Sequence, residues 1–294
     1  MRSGSDMERI AAHFAQNMNR VYAMGTLPIK MVALATINEA ARIVALVNLG
    51  LPIIGSSQTI SDETKQKLIA ERQRLVAQWS EDWLDSDAYG SAIGVAGFNT
   101  LLANKKDEYR DSIQATLAGM LIGLWTAFES QAQDAWVLAV NAHRKPLADR
   151  VLNPLSKDEQ QKLFSGKTLS DADYNLQNCM GDVLLRTRKV DFQTLANIVK
   201  YYSVAFDKKF DAIFDAHHDK LFELETMRNC FAHKGGIADE KFISRMSKSP
   251  VVKDAWKGKV VVVHGSYVAD MAKTVSSCVT KLLTALDEWM ANPT

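Results

Sequence analysis

The chain has 294 residues, of which 47% are hydrophobic and 23% are charged, and this composition argues against an intrinsically disordered protein. Its 35 Lys and Arg residues nearly balance its 34 Asp and Glu residues, so no global positive field draws it to nucleic acid. The three cysteines, Cys179, Cys230 and Cys278, form no CxxC pair. A disulfide framework or a cysteine zinc site is therefore not expected, and a reducing, cytoplasmic location is favoured.

The first residues carry no secretion or membrane signal. Residues 1–6 resemble a cloning remnant, Met7 could be a natural start, and no basic segment precedes an apolar run as in a signal peptide. The most apolar early stretch, residues 29–51, is interrupted by charged and amide residues, which predicts a buried helix rather than a membrane span. We therefore expect no membrane partner.

Helical patterns dominate the N-terminal third. Apolar residues recur at helical spacing over residues 6–24, and Pro28 suits the first turn of a second helix that should end at Gly50. Ser61, followed by two acids, predicts the cap of a third helix that reaches about Leu84.

A domain boundary is predicted at residue 105. Glycines and other small residues are frequent over residues 86–100, which fits either a boundary or a small-residue helix inside one continuous domain. If the boundary is present, residues 1–105 form a helical N-terminal region of unknown role, and residues 106–294 form a second domain.

The second domain is predicted to contain five helices and one short strand. The helices cover residues 108–140, 176–186, 191–204, 219–232 and 266–290. Residues 146–175 contain prolines and polar turn formers, and the β-branched run 259–263 predicts the strand. The predicted fold class is all-α with a minor β element.

The predicted helix 219–232 leads into the residues best suited to chemistry. Its apolar stripe consists of Leu221, Leu224, Met227 and Phe231. Glu225, Asn229 and His233 recur every four residues and form a second, polar stripe, with Arg228 at its edge. Histidine can transfer protons near neutral pH, and the guanidinium fork of arginine matches phosphate oxygens. Together these side chains suit phosphoryl chemistry without a metal ion.

The run Arg228-Asn229-x-x-x-His233, followed by Gly235-Gly236-Ile237-x-Asp239, resembles the HEPN superfamily, especially its RNase-toxin-like and phage-defence-associated branches. The segment Leu124–Glu129 is similar to an earlier helix of that family, which carries an aromatic residue beside an acid. The resemblance covers about residues 110–290. It implies a HEPN-like helical bundle.

The resemblance also implies an activity and a set of site residues. The activity is metal-independent RNA cleavage by attack of the ribose 2′-hydroxyl, with no cofactor. Arg228 and His233 would be catalytic and Asn229 would assist them. Supporting candidates are Glu225, Lys234 and Glu129. Glu129 could reach the site, although an acid on the exposed face of a long helix is the commoner case.

HEPN proteins are typically dimers, so the resemblance implies a homodimer or higher homo-oligomer with a shared cleft. Arg228 and His233 project about 140° apart on a helix, which agrees with a site built from two copies. A toxin or antiphage role, with a cognate antitoxin or defence partner, is also implied. Gly235 replaces the tyrosine that some HEPN toxins carry two residues after the histidine, which argues against that regulated type.

Two other interpretations remain. An arginine–glutamate surface pair and a histidine near a helix end would give the same spacing, and a HEPN-like domain could serve only for dimerisation or for nucleotide or RNA binding. A metal site at His217-His218-Asp219 is not expected, because adjacent histidines point to different sides of a helix. Asp219 is instead predicted to cap the helix.

Overall fold

The computed structural model describes residues 3–51, 61–84, 106–152, 158, 179–186, 190–247, 249 and 257–291. These residues form ten helices and no strand, so the predicted all-α class is confirmed. The helices are α1 (Ser3–Asn48), α2 (Asp62–Leu84), α3 (Lys106–Ala142), α4 (Arg144–Leu152), α5 (Met180–Arg186), α6 (Leu195–Ala205), α7 (Asp211–Asp215), α8 (His218–Lys234), α9 (Glu240–Arg245) and α10 (Gly265–Ala291). No helix in these ranges is both long enough and apolar enough to cross a membrane.

The chain divides into two compact units. One comprises Met1–Val21 and Leu117–Thr294, and the other comprises Tyr22–Thr116. The division therefore differs from the predicted one at residue 105, because Met7 and Val21 share a core with the C-terminal helices. Helical periodicity shows that a segment has an apolar face, but not which distant segment covers that face.

The unit Tyr22–Thr116 contains three predicted features that the structure tests. The Ser61 hydroxyl accepts a hydrogen bond from the Thr64 amide at 3.2 Å, which confirms the predicted cap of α2. Gly50 has a left-handed φ of 66° just after α1, which confirms the predicted helix end. The predicted break at Pro28 is wrong, since α1 continues through it. A proline removes one backbone hydrogen bond, and this loss can bend a helix without ending it.

The core of the other unit is built around α3. Its largest inward side chains have no exposed surface, and they are Leu121, Leu124, Trp125, Phe128 and Trp136. Two hydrogen bonds tie α3 to α6: the Tyr202 hydroxyl donates to the Ala132 carbonyl at 2.7 Å, and the Trp136 indole donates to the Tyr201 carbonyl at 3.1 Å. These bonds satisfy polar atoms that burial would otherwise leave without a partner.

Several local predictions for this unit need correction. Helix α4 covers residues 144–152, where turns were expected from residue 146 onward, and helices α7 and α9 were not expected. Residues 259–263 do not form a strand. The minor β element is one antiparallel bridge between Ile237 and Val260, because the β-branched run meets a turn and no strand among the described residues. Predictions for residues 85–105, 153–157 and 159–178 lie outside the described residues.

Candidate active site at the end of helix α8

The sequence places its candidate motif on the last turns of α8, and the structure shows how this helix ends. Gly235 and Gly236 have left-handed φ values of 58° and 79°, and the Gly236 amide donates to the Cys230 carbonyl at 3.1 Å. An L side chain would strain the backbone at these positions. The glycine pair therefore turns the chain directly after His233 and Lys234.

The polar stripe that was predicted on α8 passes from the core to the surface. Glu225 is buried, Asn229 is half-buried and His233 is exposed. The middle of the helix is covered on nearly every side, because Glu223 and Thr226 are buried as well as its apolar residues. The stripe is therefore divided between structural and accessible positions.

His233 lies at the edge of a cavity of about 240 Å³. Helix α8 contributes Thr226, Asn229, Cys230, His233 and Lys234, the turn contributes Ile237 and Asp239, and α9 contributes Lys241, Phe242 and Arg245. Asn229 and His233 are thus brought together, and four side chains able to carry a positive charge face one carboxylate. Such a cavity suits an anionic ligand.

Glu225 has a structural role at the inner end of the stripe. One carboxylate oxygen accepts a hydrogen bond from the Leu195 amide at 3.3 Å, and the other lies 3.2 Å from Arg245 Nη2. Its side chain is only 5% exposed. Glu225 therefore binds the start of α6 to α9 and does not face the cavity, which differs from the supporting role expected for it.

Arg228 is held beside the cavity rather than in it. Its Nη1 donates to Asn229 Oδ1 at 2.8 Å, and its Nη2 lies 3.7 Å from the Glu129 carboxylate. Arg228 and Glu129 are each 23% exposed, so Glu129 belongs to the motif and not to an exposed face. Burial raises the pKa of Glu129, and the nearby Arg228 guanidinium opposes that rise. Arg228 is not among the residues that line the cavity of His233.

Lys234 and Asp239 form the rim of the cavity. Lys234 Nζ lies 3.8 Å from an Asp239 carboxylate oxygen, and the other Asp239 oxygen accepts a hydrogen bond from the Phe242 amide at 2.8 Å. Asp239 is thus the N-cap of α9, and it ties the motif helix to the next helix.

The sequence did not indicate two of the cations that line the cavity. Lys241 and Arg245 are four residues apart on α9, so both occupy one helix face. They were missed because the short helix α9 was not expected. One signal in the sequence could have indicated this helix. Asp239 followed by Glu240 is a typical helix start, and Lys241 and Arg245 follow at helical spacing.

Two further side chains, Cys230 in the motif and His217 at the start of α8, have no catalytic arrangement. The Cys230 thiol is buried and donates to the Ile237 carbonyl at 3.4 Å, and burial raises its pKa to about 11. A thiol that stays protonated is a poor nucleophile. The two ring nitrogens of His217 contact the Ile213 carbonyl and the Ser277 hydroxyl. His217 is the N-cap residue of α8, so the predicted cap at Asp219 is wrong. Among the described residues, no three His, Cys, Asp or Glu side chains are grouped to hold a metal ion.

No family model matches the chain, and neither a curated protein nor a solved structure matches it.

Proposed function

We propose that this protein is a metal-independent endoribonuclease of the HEPN type. The observation that carries the proposal is the position of His233: it is exposed, and it lines one cavity with Asn229, Lys241 and Arg245. A proton-transfer group is therefore placed next to cations that can neutralise a phosphodiester. The motif spacing that resembles HEPN proteins supports the same activity.

The proposed reaction is a transesterification within the RNA strand. The ribose 2′-oxygen attacks the adjacent phosphorus and gives its proton to a base, while the bond from phosphorus to the 5′-oxygen breaks and that oxygen receives a proton. The products are a 2′,3′-cyclic phosphate and a free 5′-hydroxyl. His233 takes the proton of the 2′-hydroxyl and returns a proton to the leaving 5′-oxygen, and the amide of Asn229 can hydrogen-bond to a phosphate oxygen or to the imidazole.

A homodimer is part of the proposal. Arg228 does not line the described cavity of His233, and a second copy related by two-fold symmetry would bring an arginine and a histidine of the motif to one phosphate. The role of Arg228 in that cleft is to stabilise the charge that develops on the phosphate.

The first test uses purified protein and RNA in the presence of EDTA. We expect cleavage to continue and the 5′ fragments to end in a 2′,3′-cyclic phosphate, which can be identified by mass spectrometry. RNA with 2′-O-methyl groups lacks the nucleophile and should stay intact. If chelation stops cleavage, the assigned mechanism is wrong.

The shared cleft is tested by mixing two inactive variants. Arg228→Gln removes the charge and keeps a polar amide in place of the guanidinium, so it disturbs the half-buried position less than alanine would. When this variant is mixed with His233→Ala, heterodimers form. In each of them, one cleft receives the native Arg228 from one copy and the native His233 from the other, so we expect partial recovery of RNA cleavage. A wild-type protein that cleaves RNA as a strict monomer would refute the shared cleft.

A second candidate function is a non-catalytic HEPN-like module for dimerisation or for nucleotide or RNA binding. The contacts of Arg228 favour it, because its guanidinium already engages Asn229 and Glu129 and so stabilises the fold. Binding of RNA without any cleavage in the EDTA assay would select this function.

A further inference from the structure

Arg245 is held in a fixed position at the cavity. Its Nε donates to the Thr226 hydroxyl at 3.1 Å, its Nη2 lies 3.2 Å from the Glu225 carboxylate, and its Cζ lies 4.3 Å from the Phe222 ring centroid. The side chain is nevertheless 31% exposed and lines the cavity. A guanidinium that is already ordered loses little side-chain entropy when it binds a ligand.

The contacts of Arg245 leave part of its donor capacity available. A guanidinium carries five N–H groups, and Glu225 and Thr226 are approached only by Nη2 and Nε. No described residue accepts a hydrogen bond from Nη1. Arg245 can therefore neutralise Glu225 and still donate to an oxygen in the cavity.

Lys241 supplies a second positive charge on the same helix face. It is exposed, lines the cavity and forms no ion pair with any described residue. The other rim cation, Lys234, lies 3.8 Å from Asp239. Glu225 already has a counter-ion in Arg245, so the charge of Lys241 is not needed to balance it. The two charges together match the oxygens of a phosphate.

We propose that Lys241 and Arg245 bind the RNA phosphate on which His233 acts. This inference rests on the proposed function for the identity of its ligand. It assigns ground-state binding to α9, a helix outside the Arg–His motif, whereas His233 performs proton transfer. Changes at Lys241 should therefore act on binding and KM, and changes at His233 should act on kcat.

The test measures binding without cleavage. The probe is a fluorescein-labelled 2′-O-methyl oligoribonucleotide, and its affinity is followed by fluorescence anisotropy over a series of KCl concentrations. Lys241→Ala should weaken binding about three- to tenfold and reduce the slope of log affinity against log salt by about 0.7, the value for one lost contact to a single strand. Lys273→Ala removes an exposed lysine of α10 that does not line the cavity, and it should change neither quantity.

A second variant examines the arginine. Arg245→Lys keeps a positive charge opposite Glu225 but loses the planar fork, so it should weaken binding while thermal unfolding shows that the protein is folded. The inference is overturned if Lys241→Ala and Lys273→Ala bind alike, or if the wild type does not bind the probe. RNA cleavage with binding that is insensitive to Lys241 refutes this inference alone. Binding that depends on Lys241, without cleavage of unmodified RNA, refutes the proposed function and leaves the phosphate site in place.

Discussion

Replacing His233 with alanine should lower kcat for RNA cleavage by about a hundredfold or more and leave KM nearly unchanged, because it removes the proton-transfer group and not the phosphate-binding cations. The imidazole is exposed at the end of α8, so its removal creates no cavity in the core. Thermal unfolding of the variant should match the wild type. The measurement is steady-state cleavage of a fluorescent RNA in EDTA.

His218→Ala is the matched control for this prediction. His218 lies at the opposite end of the same helix, is about half exposed and contributes nothing to the cavity. Its replacement should leave kcat and KM at their wild-type values. If His233→Ala cleaves RNA as fast as His218→Ala does, His233 is not the catalytic group, and cleavage would have to be assigned to another residue or to a contaminating nuclease.

Replacing Glu225 with alanine should lower the free energy of unfolding by about 2–4 kcal/mol, the largest stability effect that we expect in the polar stripe. The substitution leaves the Leu195 amide without its carboxylate acceptor and leaves Arg245 without its counter-ion. The estimate lies toward the lower part of the range for buried pairs because Arg245 is partly exposed. Urea unfolding followed by circular dichroism gives the value.

Glu240→Ala provides the comparison, because Glu240 is an exposed glutamate that also forms an ion pair, in this case with Lys257 at 2.6 Å. Surface pairs contribute little, so the unfolding midpoint should barely move. The free energy of unfolding of Glu225→Gln should lie between the values of the wild type and Glu225→Ala, since the glutamine amide oxygen can still accept a hydrogen bond from the Leu195 amide. If Glu225→Ala keeps full stability and loses only activity, the structural role assigned to Glu225 is wrong.

Much of the helical structure follows from local sequence. The start of α2 depends on a Ser61 cap, and the end of α1 depends on Gly50. Helices α3 and α10 depend on recurring apolar residues in segments without proline. Each of these signals acts within a few residues, so periodicity and capping rules can detect it. The end of α8 belongs to the same class, because Gly235 follows directly on the motif and can adopt a left-handed conformation.

The roles of the site residues depend on the tertiary structure. Glu225 and His233 belong to one helical stripe by spacing, yet one is buried against the start of α6 and the other is exposed. The spacing indicates that Arg228 can bind a phosphate, but it does not indicate that Arg228 also pairs with Glu129, which lies 99 positions earlier in the chain. Arg245 joined the cavity through contacts with α8 that no local pattern indicates.

The sequence by itself determined an all-α chain and the position of one candidate motif at the end of a helix. The tertiary structure alone decided that Met7 and Val21 join the C-terminal core, that residues 259–263 form no strand, and that α9 supplies cations to the cavity. The physical reason is the range of the interactions. Caps and apolar periodicity act between near neighbours, whereas burial and ion pairing depend on which distant segments pack together.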